Sequence, residues 1–422
     1  MISEEVFAKE AEEFLNSNAP LKAPMKKFVW GEGPDTAALF DETARDDELV
    51  QVEEAKAWRQ KKYDAGYGWI TGPPELGGRG LPRAFQRIYD DLESRYAVPD
   101  QGCFGIGLGM VAPTVEAHAN AEVKGDMLPK LWRGEMIACQ LFSEPGAGSD
   151  LASLQLRADR DGEEWILNGQ KVWTSGAHYS DVGEIIARTD PDLPKHQGLT
   201  GFMVDMKAPG VEVRPLRQMT GGANFNEVYF TDARVPDAWR LGDVNQGWAV
   251  AITTLMNERA SIGSGGGGGR GGAMNMTRMM AMLRHFDVAD DPNIRQQVAQ
   301  LYAGQKTLAW MNQRAMDRVK AGQTPGAEMS MAKMALVRNM QTTDRLLADV
   351  LGPRLVADTG EWGTYSNSQF VMGLPAMRIA GGSDEVMRNI VGERVLGLPK
   401  EPGIDTTSAF RELKVGTQRS SG

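Results

Sequence analysis

The sequence predicts an α+β enzyme in three parts, with helical stretches on either side of a small β-domain. Three observations predict it. Residues 1–135 carry apolar side chains three to four apart. Residues 136–245 break into short β-like runs punctuated by Gly, Pro and Asp. Residues 246–422 return to long segments rich in Ala, Met, Leu and Arg. Helices, then strands, then helices leave a cleft where the layers meet, the usual seat of a ligand.

In the first part, Val6–Leu15 and Val50–Tyr63 read as helices. Gly72-Pro73-Pro74 and Gly77-Gly78-Arg79-Gly80 interrupt the pattern as a loop, and helical texture resumes from Pro82 and again from Pro113. In the second part, Glu164–Leu167 leads into Asn168-Gly169, a dipeptide that favours a tight hairpin turn, and then into Lys171–Thr174. Gly183–Thr189, Gly201–Met206, Val211–Pro215 and Asn226–Phe230 are further strands. In the third part, helices are expected over Trp248–Ser261, Met274–Phe286, Pro292–Val319 and Glu328–Leu351, separated by Pro325 and Gly352-Pro353. Met276, Met279, Met280 and Met282 recur at helical spacing and read as adaptable core. The run from Gly263 to Gly272 leaves two readings open: a flexible linker, or a place where a ligand or neighbouring backbone comes close.

Bulk properties exclude several classes. A chain that is 41% hydrophobic and 24% charged can bury a sizeable core. A net charge of -10 repels phosphate backbones, so no nucleic-acid partner is expected. No apolar run is long enough to span a membrane, and Met1–Lys9 is acidic where a secretion signal is basic, so a cytoplasmic location is expected. Cys103 and Cys139 are too few for a disulfide framework. His118, His178, His196 and His285 have no paired spacing, so no metal site is expected.

Three strings carry the chemistry. The first runs Cys139-Gln-Leu-Phe142-Ser143-Glu-Pro-Gly-Ala-Gly148-Ser149-Asp150, in which small residues let backbone approach a ligand. Alone, such a loop is a weak signal. The second is Leu167-Asn-Gly-Gln-Lys-Val-Trp173-Thr174-Ser175-Gly176, and the third is Gly381-Gly382-Ser383-Asp384-Glu385-Val386-Met387-Arg388, continuing to Leu398-Pro399. Together and in this order they resemble the signature segments of the acyl-CoA dehydrogenase family, and the likeness reaches back to Gly66-Tyr-Gly-Trp69.

The resemblance implies an N-terminal α-helical domain (1–135), a middle β-barrel domain (136–245) and a C-terminal four-helix domain (246–422), with FAD between the last two. It implies cofactor contacts at Phe142, Ser143, Gly148, Ser149, Trp173, Thr174, Ser175 and Ser383, and substrate contacts at Ser149, Arg259 and Gly382. A flat ring system needs an aromatic wall, and its polar edge needs a donor. The implied reaction is α,β-dehydrogenation of an acyl-CoA thioester, which calls for a carboxylate to take the α-proton. One family position for that base corresponds to Gly381, which has no carboxylate. The other lies on a helix directly before an Arg, and Asn257-Glu258-Arg259 fills it, so Glu258 is the implied base. Gly381 can still present its N–H to the thioester oxygen.

The resemblance also implies an electron-transferring flavoprotein as partner and a dimeric or tetrameric assembly. Two family segments that reach a neighbouring subunit's FAD are altered. The stretches here read Leu283-Arg284-His285-Phe286-Asp287 and Asp349-Val-Leu351-Gly352-Pro353-Arg354. A hetero-oligomer with unequal sites, this chain being a FAD-holding or non-catalytic subunit, is the alternative.

Overall fold

The computed structural model describes residues 2–24, 28–39, 43–263, 272–321, 326–327, 329–400 and 405–413, without the side chains of residues 259–263, 319 and 320. Amphipathic spacing in the first part builds α1 (Glu4–Asn18), α2 (Arg45–Asp64), α3 (Arg83–Glu93), α4 (Ala112–His118) and α5 (Ala121–Arg133). In α1 the spacing is plain: Phe7, Ala11 and Leu15 lie one turn apart and are buried, and the Ser3 hydroxyl caps the helix by accepting from Val6 N. A single π-helical turn, Gly107–Val111, runs directly into α4. Such turns concentrate at functional sites.

The strands follow: β1 (Ala138–Leu141), β2 (Arg157–Asp161), β3 (Glu164–Ser175), β4 (Val182–Arg188), β5 (Leu199–Asp205), β6 (Val211–Leu216), β7 (Phe225–Pro236) and β8 (Arg240–Leu241). They form one sheet in the order β6-β7-β3-β2-β4-β5-β8, with β1 paired parallel to β4. β5 and β7 lie four steps apart on the ladder yet approach within 8 Å, so the sheet curls on itself. Every residue of β4 is buried. The reason is that both faces are covered: Ile185 joins the core inside the curl with Leu167, Phe202 and Val228, while Ile186 faces the helices with Val115, Leu128 and Val250.

One expectation is corrected. Asn168-Gly169 is not a hairpin turn but lies inside β3; the turn is at Gly162 (φ 62°), between β2 and β3. Asn168 instead exchanges two hydrogen bonds of 3.0 Å with Asp232, which holds β7 in a bulge at positive φ. Gly169 (φ 145°) is needed because a Cβ there would meet Leu156 at 2.9 Å.

The third part supplies α6 (Gly247–Gly263), α7 (Met276–His285), α8 (Pro292–Lys320), α9 (Met329–Leu351), α10 (Asn367–Ile379) and α11 (Asp384–Ile390). Met279 and Met282 are buried in its core, and Met276 and Met280 pack against it. The glycine run from Ser264 to Gly271, and Pro325, lie outside the described residues. Two segments strap distant parts together. Residues 28–39 cross to the C-terminal helices, where Arg278 donates to Thr36 O (2.9 Å) and Trp362 donates to Gly33 O (2.7 Å). Residues 405–413 return to the sheet, where the Arg188 guanidinium lies 3.7 Å from the Phe410 ring centre. Among the described residues, no helix is long and apolar enough to cross a membrane, and no cluster of His, Cys, Asp or Glu could hold a metal.

Candidate active site

The first signature string leaves β1 as a loop whose base is buried and whose tip is exposed. Phe142 and Glu144 are buried, whereas Gly148, Ser149 and Asp150 face solvent. A buried ion pair sets the base. Lys171, fully enclosed on β3, donates to Glu144 Oε1 (2.9 Å) and to Phe142 O (3.0 Å). Glu144 also accepts from Gln155 N (2.6 Å) and Leu156 N (2.9 Å). Burial lowers the Lys171 ammonium pKa, and the Glu144 carboxylate opposes that shift. Val172 N donates to Ser143 O (2.9 Å), so the first and second strings are hooked to each other side by side. At the tip, Lys195 holds Asp150 with two bonds of 2.9 Å and pairs with Asp405 from the C-terminal strap.

The second string turns an aromatic ring outward. Between Lys171 and Thr174, β3 carries one residue more than its partner β7. The bulge falls at Trp173, which sits at φ 62°, rare for a residue with a side chain, and is 58% exposed. Beside it, Thr174 is buried and its Oγ1 has no hydrogen-bond partner. Its carbonyl accepts from Asn226 Nδ2 (3.0 Å), and Arg45 holds Asn226 in turn (2.7 Å). Ser175 is half-buried. An exposed indole beside an unsatisfied buried hydroxyl fits a flat, polar-edged cofactor such as a flavin.

The third string is a tight turn between α10 and α11. Gly381 (φ 66°) and Gly382 (φ 93°) both adopt backbone that side chains disfavour. Lys333, buried on α9, clamps the turn by donating to Gly382 O (2.8 Å) and pairing with Asp384. The Ser383 hydroxyl caps α11 by accepting from Val386 N (3.3 Å). That occupies one of its lone pairs and leaves its proton available to a ligand.

Glu258 lies on α6, one turn beyond buried Thr254, and is half-buried. α6 packs on β5 and α4 and also on α9, so it spans the gap between the sheet and the C-terminal helices. The Arg259 side chain lies outside the described residues. The contacts thus bring Phe142 and Ser143 beside the β3 segment that carries Trp173, Thr174 and Ser175, while the tip at Asp150 is held by Lys195. The group Gly381–Ser383 packs on α9, which in turn packs on α6. Lys171, Glu144, Lys333 and Asp384 escaped the sequence reading. A signal for Lys171 exists: it falls on the same alternating face as Trp165 and Leu167, where a lysine requires a buried anion.

The profile of the acyl-CoA dehydrogenase middle domain matches residues 139–233, and that of the C-terminal domain matches residues 245–396. Acyl-CoA dehydrogenase IpdE1 of Mycobacterium tuberculosis is 36% identical over 350 residues, covering 83% of this chain and 89% of IpdE1. The chain belongs to the acyl-CoA dehydrogenase family. Acyl-CoA dehydrogenase FadE34 of the same organism is 40% identical over 328 residues, covering 78% of this chain. The match covers only 44% of FadE34, less than half of that relative's length. Among solved structures, the Tcur3481-Tcur3483 steroid ACAD aligns with a TM-score of 0.70 at 26% identity, over 94% of this chain and 97% of that one. Acyl-CoA dehydrogenases are flavoprotein oxidoreductases, and the paired loops around Trp173 sit inside the matched middle domain.

Proposed function

We propose that this acyl-CoA dehydrogenase binds FAD and oxidises the Cα–Cβ bond of an acyl-CoA thioester to a trans-2-enoyl-CoA, with Glu258 as the base. The observation that supports the reading is the placement of Glu258: half-buried on a helix that packs between the sheet and α9, the helix whose Lys333 holds the glycine turn. FAD, when bound, supplies the acceptor for the β-hydrogen. Trp173 would wall the ring, and Phe142, Ser143, Gly148, Thr174, Ser175 and Ser383 would hold its edges. Ser149, Arg259 and Gly382 meet the substrate. The Gly381 N–H polarises the thioester carbonyl, without which an α-C–H is too weak an acid; one such donor is worth about 10²–10³ in rate. Glu258 then takes the α-proton.

An electron-transferring flavoprotein would re-oxidise the enzyme, and the assembly is a dimer or tetramer. A hetero-oligomer is supported by the altered segments at Leu283–Asp287 and Asp349–Arg354, and by a solved relative whose name joins two designations. That relative is called a steroid ACAD, which argues for including bulky acyl groups among the substrates tried.

The test is anaerobic flavin bleaching. The purified chain, with its flavin content measured, is mixed with acyl-CoAs running from short branched to steroid-bearing. Bleaching by one class identifies the substrate. Flavin that stays oxidised with all of them, both alone and with a co-purified partner chain, would sink the reading. Flavin retained only with a partner chain would identify a shared site.

A smaller effect is expected at Trp173. Its ring is mostly outside the core, so Trp173→Ala should unfold as the wild type does. Loss of an aromatic wall is worth roughly 0.5–1.5 kcal/mol, or up to about tenfold weaker FAD retention, and Trp173→Phe should recover most of it. Titration of apoprotein with FAD reads this directly.

A further inference from the structure

Glu184 has no part in the chemistry above, yet it is one of the least expected residues in the fold. It sits in the middle of β4, fully buried, between Val182-Gly183 and Ile185-Ile186-Ala187; the other charge on the strand is Arg188 at its end. Its ladder partners, Gln140 on β1 and Met203 on β5, carry no charge. A lone carboxyl in such a place needs a reason, since burial without compensation is costly.

Its contacts supply one. Glu184 Oε1 lies 2.5 Å from Thr254 Oγ1 on α6. Thr254 Oγ1 lies 2.9 Å from Thr114 Oγ1 on α4, and Thr114 donates to Met110 O (2.9 Å) inside the π-helical turn. All three side chains are fully buried. One chain of hydrogen bonds thus ties the sheet, the helix bearing Glu258 and the distorted start of α4. Thr254 is four residues before Glu258, on the same helical face. Whatever fixes Thr254 against β4 fixes the rotation and height of α6 at the next turn.

The chain has a direction. Burial pushes the Glu184 carboxyl up to about 8, opposed only by the Thr254 bond. No charged group contributes to that shift. Nearby, His118 on α4 also joins α6: it bonds Thr253 Oγ1 (2.8 Å) and is itself shifted down, chiefly by burial. While the carboxyl holds its proton it can donate to Thr254, which frees the Thr254 hydroxyl to turn to Thr114 or to Val250 O (3.3 Å), and Thr114 donates to Met110 O. Every hydrogen has an acceptor, and the chain ends on a carbonyl. Once Glu184 ionises, Thr254 must donate to it. Thr254 then has no proton for Thr114, and either that link or the bond to Met110 O is lost. Glu184 Oε2, buried and without a partner, would carry part of an unshared charge.

We propose that Glu184 is a positioning residue for the dehydrogenation, acting through Thr254 and Thr114 to hold α6 so that Glu258 aims at the substrate's α-carbon. The proposal rests on Glu258 being the base. It accounts for a carboxyl in an apolar strand by a neutral donor role, which an amide can imitate and a hydrocarbon cannot.

The experiment measures the limiting rate of anaerobic flavin bleaching by a reactive acyl-CoA in the holoenzyme, from pH about 6 to about 9.5. In Glu184→Gln the amide donates as the acid does. Its rate at neutral pH should stay within about threefold of wild type, while the wild-type fall above pH about 8 disappears. In Glu184→Leu and Thr254→Val the limiting rate should drop about 10–100-fold at nearly unchanged half-saturating substrate, because a base displaced by an ångström loses rate on that scale. The two losses should not multiply in the double variant. If Glu184→Leu does not fold, the pH profile of Glu184→Gln and the rate of Thr254→Val decide. Wild-type rates in Glu184→Leu and Thr254→Val, or an alkaline fall that persists in Glu184→Gln, would overturn the proposal. Glu258→Gln is run alongside. If it bleaches at the wild-type rate, the base assignment fails whatever Glu184 does; if it is inactive while the Glu184 and Thr254 variants are unaffected, only the positioning role fails.

Discussion

Glu258→Gln should keep its flavin and its fold and lose α-proton abstraction. The amide preserves the volume of the side chain and its place on α6, so nothing in the packing of Val250, Ala251 and Thr254 along the same helix is disturbed. It cannot accept a proton. Removing a positioned general base typically costs about 10²–10⁴ in rate, and for an unactivated α-C–H the upper end is expected. Two measurements check it. Anaerobic mixing with acyl-CoA should leave the flavin oxidised over the time the wild type bleaches completely. In heavy water, the wild type should wash deuterium into the α-position of a slowly turned-over thioester, and the variant should not. Washout at the wild-type rate would move the base elsewhere in the chain. The effect is large because no second carboxylate stands at the other family position: Gly381 occupies it.

The sequence was most informative where structure is periodic or where chemistry demands unusual residues close together. The helix expected over Pro292–Val319 is found at Pro292–Lys320, and the strand expected over Val211–Pro215 at Val211–Leu216, because burial of one face leaves a repeat that can be counted. The three glycine- and serine-rich strings were legible for the other reason. What stayed hidden was long-range. Glu144 and Lys171 are 27 residues apart, and Lys333 and Asp384 are 51 apart; each looks like a solvated charge until the partner is seen. Glu184 gives no local sign either, since its reason lies on α6 and α4. The error at Asn168-Gly169 has the same origin. The dipeptide's local preference is for a turn, but Asn168 is bound to Asp232 on the neighbouring strand and Gly169 is pressed against Leu156, so tertiary contacts outweigh propensity. The outward turn of Trp173 depends on a bulge that appears only when β3 and β7 are laid side by side.

Lys171→Met should be the most destabilising single change at the site, and it should release the flavin as well. Methionine nearly matches lysine in volume, so no cavity is expected and the loss is electrostatic. The Glu144 carboxylate would keep its two backbone donors, Gln155 N and Leu156 N, but lose the cation that hydrogen-bonds it, leaving only the more distant attraction of Arg188. Phe142 O would lose its donor too. Removing one partner of a buried pair typically costs about 3–5 kcal/mol, well above the median for an exposed pair. Denaturant unfolding should read that loss. Neutralising the carboxylate should recover part of it: the double change Lys171→Met with Glu144→Gln should be more stable than Lys171→Met alone, by about 1–3 kcal/mol. The same pair hooks Phe142-Ser143 to β3 beside Trp173, so flavin content on purification should fall in Lys171→Met and return in part in the double variant. A Lys171→Met protein that unfolds with the wild type and keeps its full flavin would show that the loop is held by its backbone bonds alone, Val172 N to Ser143 O foremost among them.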